Sequence, residues 1–199
     1  MKIGAIGSGH MGGTLGKLWA AKGHQVMFSS RDPHGEKMQA LIQEAGSNAK
    51  AGTSQDAIAF GDVILLAVPF AEVEHILTQA GDLQNKIVID ATNRFDGQSA
   101  GMEVIRLAKH GRVVKAFHAV AWEVLGQPQF GPSRATIFIT GDDEEAKQVV
   151  AQLCRDIGCD PLDVGGAENI PTIETVITPL WRLLLPRLGR DFSISILRR

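Results

Sequence analysis

The stretch Lys2-Ile3-Gly4-Ala5-Ile6-Gly7-Ser8-Gly9-His10-Met11-Gly12, with Gly16 four residues further on, decides the fold. A short apolar run leads into G-x-G-x-x-G. Met11, Leu15, Leu18 and Trp19 then recur on one face of a helix that stops at Gly23. In a chain with 22 glycines the spacing alone means little; its place between a strand and a helix gives it weight. Gly7 allows a tight turn, Gly9 lets backbone approach a pyrophosphate, and Gly12 lets helix and strand pack closely. The helix N-terminus adds unpaired N–H groups and partial positive charge, so Ser8, His10 and Met11 fall in the same phosphate-binding stretch.

The end of the second strand, Gln25-Val26-Met27-Phe28-Ser29, bears on the choice of dinucleotide. NAD-binding versions of this unit carry an acid there for the ribose 2′-hydroxyl. The tip here reads Ser29-Ser30-Arg31. A hydroxyl and a guanidinium suit a 2′-phosphate, which a carboxylate would repel, so the sequence favours NADP(H) over NAD(H). Asp32 leaves an alternative: it bonds the ribose if the strand ends later, or it turns the chain before Pro33.

Further along, strand-like and helix-like segments alternate, as expected for an α/β protein with a Rossmann-type doubly wound, mainly parallel sheet. Asp62 to Val68, Lys86 to Ala91 and Arg112 to Phe117 read as strands buried on both faces. Val73, Ile76, Leu77 and Ala80 mark one helix, and Val104, Leu107 and Ala108 another. Ala135 to Thr140 predicts a further strand. Ala146, Val149, Val150, Leu153, Cys154 and Ile157 trace a helix ending at Gly158. The loose stretch Glu123 to Arg134 bounds the dinucleotide unit, giving a binding domain over residues 1–140 and a C-terminal α/β extension over 141–199. In that extension Ile173, Val176, Ile177, Leu180, Trp181 and Leu184 form a broad apolar helix face, with Pro179 and Pro186 expected to interrupt or kink it. Such a face either covers its own sheet or joins a homodimer.

Composition narrows the function. The chain has 199 residues, 44% of them hydrophobic, and a net charge of −2, which gives no footing for nucleic acid or an anionic membrane. Its two cysteines, Cys154 and Cys159, have neither redox nor zinc spacing. No signal peptide or membrane span is read, so a cytoplasmic protein is expected. G-x-S-x-G and the P-loop lysine are both lacking, which removes those hydrolase and phosphoryl-transfer chemistries.

Ligands of open α/β sheets gather beyond the carboxyl ends of the strands. That rule adds Ala67, Val68, Pro69, Thr92, Asn93 and Ala119 to the dinucleotide-binding candidates. Of six histidines, His118 alone follows directly on a strand end among apolar neighbours. It is the catalytic candidate, holding an acceptor carbonyl or donating a proton as hydride arrives.

Taken together, Gly7 to Gly12, Ser30-Arg31, Leu66-Ala67-Val68-Pro69, Asp90-Ala91-Thr92-Asn93, Lys115-Ala116-Phe117-His118 and a tail with Glu174 and Thr178-Pro179-Leu180 resemble the NADP oxidoreductase, coenzyme F-420-dependent family. The fold of that family also occurs in the cytosolic domain of the six-transmembrane metalloreductases. The resemblance implies NADPH along the glycine loop, with Ser8, Ser30 and Arg31 around its 2′-phosphate. It also implies direct hydride transfer to a stacked flavin-like ring: coenzyme F-420, another flavin or a quinone. Trp122 and Trp181 either shape the acceptor cleft or fill it. Two other readings stand beside this one, an imine/pyrroline-type reductase and a non-catalytic NADPH-binding redox sensor. The hydroxyacid dehydrogenases are disfavoured, because the segment after Gly166 is short and holds no lysine.

Overall fold

The computed structural model describes residues 1–197. Its centre is a six-stranded parallel sheet built from β1 (Lys2–Ile6), β2 (Gln25–Ser29), β3 (Ala49–Gly52), β4 (Val63–Leu66), β5 (Ile87–Asp90) and β6 (Arg112–Lys115). The strand order is β3-β2-β1-β4-β5-β6. The chain therefore winds outward from β1 in one direction, then restarts at β4 on the other side of β1. The carboxyl ends of β1 and β4, paired at Ile6 and Leu66, form the switch point where such sheets open a crevice.

The crossovers are α1 (His10–Ala21), α2 (Glu36–Ala45), α3 (Ser54–Phe60), α4 (Val73–Ala80) and α5 (Ala100–Leu107). Two apolar clusters sandwich the sheet. One joins Ile3, Val26, Leu65 and Ile89 to α1; the other joins Ile64, Leu66 and Val88 to α4 and α5. Trp19 on α1 is fully buried, and its indole N–H donates to the Leu153 carbonyl at 3.0 Å.

After β6 come α6 (Trp122–Leu125), a hairpin of β7 (Gln129–Phe130) and β8 (Ser133–Arg134), β9 (Thr136–Ile139), α7 (Glu144–Asp156), β10 (Asp160–Asp163) and α8 (Ile170–Leu188). β9 and β10 form a separate parallel pair, joined to the main sheet by an antiparallel bridge between Lys115 and Thr140. α7 supplies Val150, Leu153 and Cys154 to the same core as Ile3 and Val26, so residues on both sides of position 140 share one interior. The segment beyond α8 turns back to β9, where the Thr136 N–H donates to the Ile194 carbonyl and the Ile196 N–H to the Thr136 hydroxyl.

Several boundaries differ from the expectation. β4 ends at Leu66 and β6 at Lys115, short of Val68 and Phe117; Phe117 has φ of 60°, a left-handed turn that no strand can hold. Residues 123–134 are ordered into most of α6 and the β7–β8 hairpin. Pro179 and Pro186 both lie inside α8, which runs from Ile170 to Leu188 without interruption. The segment α2–β3–α3 did not stand out in the apolar pattern at all.

Trp19 tests the shared interior. Replacing it with Ala removes a large buried ring and the bond to α7, and is expected to cost about 3–5 kcal/mol of unfolding free energy in a urea titration.

Candidate functional site

The glycine loop takes its shape from close approaches. Gly7 has φ of 97°, and a Cβ there would run into the Ala67 carbonyl oxygen. A Cβ on Gly12 would strike the Gly7 carbonyl oxygen, and one on Gly16 the Phe28 ring. Gly9 is different: nothing lies within 4 Å of where its Cβ would sit. Gly9 is also the N-cap of α1, without a side-chain cap and with no acid in the first turn. The open N–H groups of α1 therefore face the crevice unneutralised, the arrangement that draws anions.

Beside this helix end runs a groove of about 680 Å³, within the usual range for ligand sites. Ser8, Ser30, Arg31, Val68 and Pro69 line it, together with Thr53-Ser54-Gln55, which the sequence reading had not flagged. The loop is tied down because the Gly7 N–H donates to the Ser29 hydroxyl at 3.0 Å. Ser30 accepts from the Asp32 N–H at 3.0 Å, and the Asp32 carbonyl accepts from the Gly35 N–H. Asp32 thus begins a turn, as its alternative reading held. Arg31 is exposed and has no carboxylate partner among the described residues.

At the other strand ends the geometry is fixed by a buried ionic cluster. Lys115 of β6 and Asp90 of β5 are completely buried. The Lys115 ammonium reaches Asp90 Oδ2 at 2.9 Å, the Thr92 carbonyl at 2.6 Å and Glu174 Oε1 of α8 at 2.8 Å. It donates hydrogen bonds to Asp90 and the Thr92 carbonyl and forms an ion pair with Glu174. Asp90 Oδ1 accepts from the Thr92 N–H and hydroxyl, and Glu174 accepts from the Ser99 hydroxyl and Gly101 N–H. Thr92 is consequently turned into this cluster, with its side chain committed to Asp90. Asn93 donates to the His118 carbonyl at 2.7 Å, which fixes the turn after β6.

One helical turn beyond Glu174, a smaller cleft of about 180 Å³ opens beside the glycine loop. Met11, from the first turn of α1, Asn93 and Ala119 form its side nearest the loop; His118, Thr178, Trp181, Arg182 and Arg190 form the rest of its polar lining. Both ring nitrogens of His118, the Thr178 hydroxyl and the Trp181 indole nitrogen are buried without a hydrogen-bond partner. Burial, helped by the nearby Lys115 charge, pushes the His118 pKa down to about 3. At neutral pH the ring is therefore uncharged, with one nitrogen a donor and the other an acceptor. It can hold a carbonyl oxygen but brings no ready proton of its own as imidazolium.

The two tryptophans part company. Trp122 stacks on His10 at 4.8 Å and stands clear of the cleft's lining. Trp181 is a wall of the cleft, stacked on Phe192 at 5.9 Å. Among the described residues no cluster of three potential ligands could hold a metal ion, and no helix is long and apolar enough to cross a membrane.

Comparison with known proteins fits this geometry. Residues 2–94 match the family model described as NADP oxidoreductase coenzyme F420-dependent. The chain is 31% identical over 205 residues to the F420-dependent NADP reductase of Methanocaldococcus jannaschii, an alignment covering 90% of each. It is 28% identical to rat metalloreductase STEAP3 over 92% of this chain, spanning 38% of that longer protein. A solved structure from Arthrobacter sp. FB24, provisionally designated an F420-dependent NADP reductase, superposes with a TM-score of 0.85. That match covers 99% of this chain and 98% of the other at 24% identity, a likeness of fold.

The His118 environment has a consequence in acid. The folded-state pKa lies below the ordinary 6.5, so the unfolded chain takes up the proton first and stability is lost as pH falls from 6.5 toward 3. Urea titrations should show the wild type losing of order 2 kcal/mol more than His118→Leu between pH 7 and pH 5.

Proposed function

The chain belongs to the coenzyme F420-dependent NADP oxidoreductase family, and on that premise we propose that it carries hydride directly between NADP(H) and a planar, flavin-like acceptor. One observation carries the reading. The open N-terminus of α1 lies between a groove of about 680 Å³ and a small cleft with buried, unpartnered polar atoms, and α1 contributes to the cleft through Met11.

In this proposal the glycine loop from Gly7 to Gly12, including Ser8, His10 and Met11, holds the pyrophosphate with backbone N–H groups. Ser30 and Arg31 bind the 2′-phosphate; Arg31 has no carboxylate partner among the described residues, and the Asp32 backbone is held in a turn while its carboxylate also borders the groove. Val68 and Pro69 form the apolar edge of the crevice with Ala67 packed behind them against Gly7 and Gly12, Asn93 and Ala119 border the nicotinamide end, and Thr92 supports them from within the ionic cluster. These residues fit the dinucleotide, which when bound supplies the hydride.

The cleft then receives the second reactant. His118, Thr178 and Trp181 offer it hydrogen bonds that nothing in the chain takes up, which suits the carbonyl edge of a flavin, coenzyme F-420 or a quinone. No nucleophile or metal is required. Such chemistry is positioning in a site closed to water, and each unpartnered donor aimed at the acceptor favours the more electron-rich product. Residues 1–140 bind the dinucleotide and residues 141–199 complete the acceptor side. A cytoplasmic location agrees with this reading. So does a homodimer, since Val176, Leu180 and Leu183 form an exposed apolar row along α8.

Two experiments test these statements. Arg31→Ala is expected to raise the NADPH dissociation constant by roughly tenfold while leaving NADH within twofold, the size of one charge-assisted contact; equal losses for both would remove the 2′-phosphate assignment. Sedimentation should give twice the chain mass, shifting to the single chain in a Leu180→Glu, Leu183→Glu double variant. A monomeric wild type would sink the dimer.

A further inference from the structure

Hydride transfer as proposed uses His118, Thr178 and Trp181, and it leaves a charged group of the cleft without a role. Arg190, just beyond the end of α8, lines the cleft beside them. Its guanidinium lies 5.9 Å over the Trp181 ring, and its Nε donates to Glu123 Oε1 on α6. Arg182, the other arginine of the lining, has no carboxylate partner among the described residues and lies 4.9 Å over Phe95. It is shared with a separate groove between the loop after β5 and α8, whereas Arg190 lines the cleft and not that groove.

The pairing of Arg190 is incomplete in a way that other arginines of this molecule are not. Arg94 grips Asp96, and Arg106 grips Glu103, through Nε and a terminal amino group together. Arg190 uses Nε alone, and neither of its terminal amino groups has an acceptor among the described residues. The second Glu123 oxygen, Oε2, is buried without a partner, so the pair forgoes the bidentate contact common for such groups. Glu123 thus tethers the guanidinium from one side, and the ring of Trp181 lies under it. The donors left over belong to a residue of the cleft wall.

We infer that Arg190 is a further catalytic residue, donating from its terminal amino groups to a ring carbonyl of the acceptor, and that Glu123 is the positioning residue that holds it there. This rests on the functional reading above. A hydride brings the acceptor one proton and two electrons. The conjugated ring therefore gains a full negative charge, which is drawn to its carbonyl oxygen until water supplies a second proton. His118, Thr178 and Trp181 meet that oxygen as neutral groups. The guanidinium adds a charge whose attraction grows as the anion forms, which favours the transition state over the bound reactant. Glu123 already balances that charge and the Arg190 side chain is 48% exposed, so the gain is nearer tenfold than the hundredfold or more of a dry oxyanion site.

Riboflavin, which has no acidic group, serves as the probe, with the intact chain as wild type, Arg190→Leu, Arg190→Lys and Glu123→Gln. Three quantities are read: riboflavin-dependent NADPH oxidation, riboflavin binding by fluorescence quenching, and the midpoint potential of riboflavin under excess protein in an anaerobic reductive titration. Arg190→Leu should lower kcat roughly tenfold, with the KM for riboflavin and the NADPH dissociation constant within twofold. It should also lower the midpoint potential by about 30 mV, the equivalent of a tenfold change for a two-electron couple. Arg190→Lys should keep part of both effects. Glu123→Gln should lower kcat less, and should add nothing in the Arg190→Leu background, because it acts through Arg190. An unchanged kcat, a loss confined to KM, or a fall in kcat with the potential unmoved overturns the inference. Failure of wild type to bind riboflavin overturns it together with the acceptor class. A potential that shifts as described, in a protein that binds riboflavin without oxidising NADPH, removes the hydride-transfer reading and leaves the Arg190 contact standing.

Discussion

The meeting of Lys115 with Asp90 and Glu174 is the interaction on which the α8 side of the molecule depends. Taking an ammonium and a carboxylate wholly out of water costs several kcal/mol for each ion, and mutual attraction alone seldom recovers it. Here the ammonium donates to Asp90 and the Thr92 carbonyl and pairs with Glu174, and the carboxylates accept further bonds from Thr92, Ser99 and Gly101. The cluster thus converts a penalty into a directional lock between β5, β6 and α8. Glu174 is the only one of the three ions on α8, and Thr178, Trp181 and Arg182 follow it at four, seven and eight residues. At helical spacing these lie along one side, so fixing Glu174 fixes the register of the α8 wall of the cleft.

The dinucleotide half obeys a different constraint, exclusion instead of attraction. Gly7, Gly12 and Gly16 bring a carbonyl, a turn and a phenyl ring to distances that any side chain would forbid. Packing at those three points draws α1 tight against β1 and β2 and leaves its amino end projecting into the crevice. Among the glycines of this motif, Gly9 has open space where a Cβ would sit, which leaves room for a ligand. The two halves are therefore held by unlike forces, yet they meet at Met11 and Asn93.

Much of this was legible beforehand because long-range order follows from local pattern. The β1–α1 unit could be read residue by residue, since buried parallel strands are nearly continuous in apolar side chains and α1 has a regular stripe. β3, with the sequence Ala49-Lys50-Ala51-Gly52, lacks that signature, being a short edge strand with small residues. α3 is only seven residues long; its one local sign is the reciprocal Thr53–Asp56 cap, visible as Thr53-Ser54-Gln55-Asp56. The prolines of α8 illustrate tertiary override: Ile170, Ile177 and Thr178 are buried against the body, and that packing carries the helix through Pro179. The candidate site divides in the same way. Glycines and strand ends announce themselves by position, whereas the neutrality of His118 and the solitude of Arg182 arise from neighbours distant in sequence.

The segment that returns along β9 has a further consequence, for how copies of this chain can meet. A two-stranded sheet such as β9–β10 ordinarily offers ribbon edges to which foreign strands can add. On one side, Thr136 is already bonded to Ile194 and Thr140 to Lys115. On the other, β10 reads Asp160-Pro161-Leu162-Asp163, with a proline that has no N–H to give and two acids that repel a like neighbour. Both borders of this small sheet are thus guarded against a visiting backbone, which disfavours growth by strand addition there into open-ended fibres.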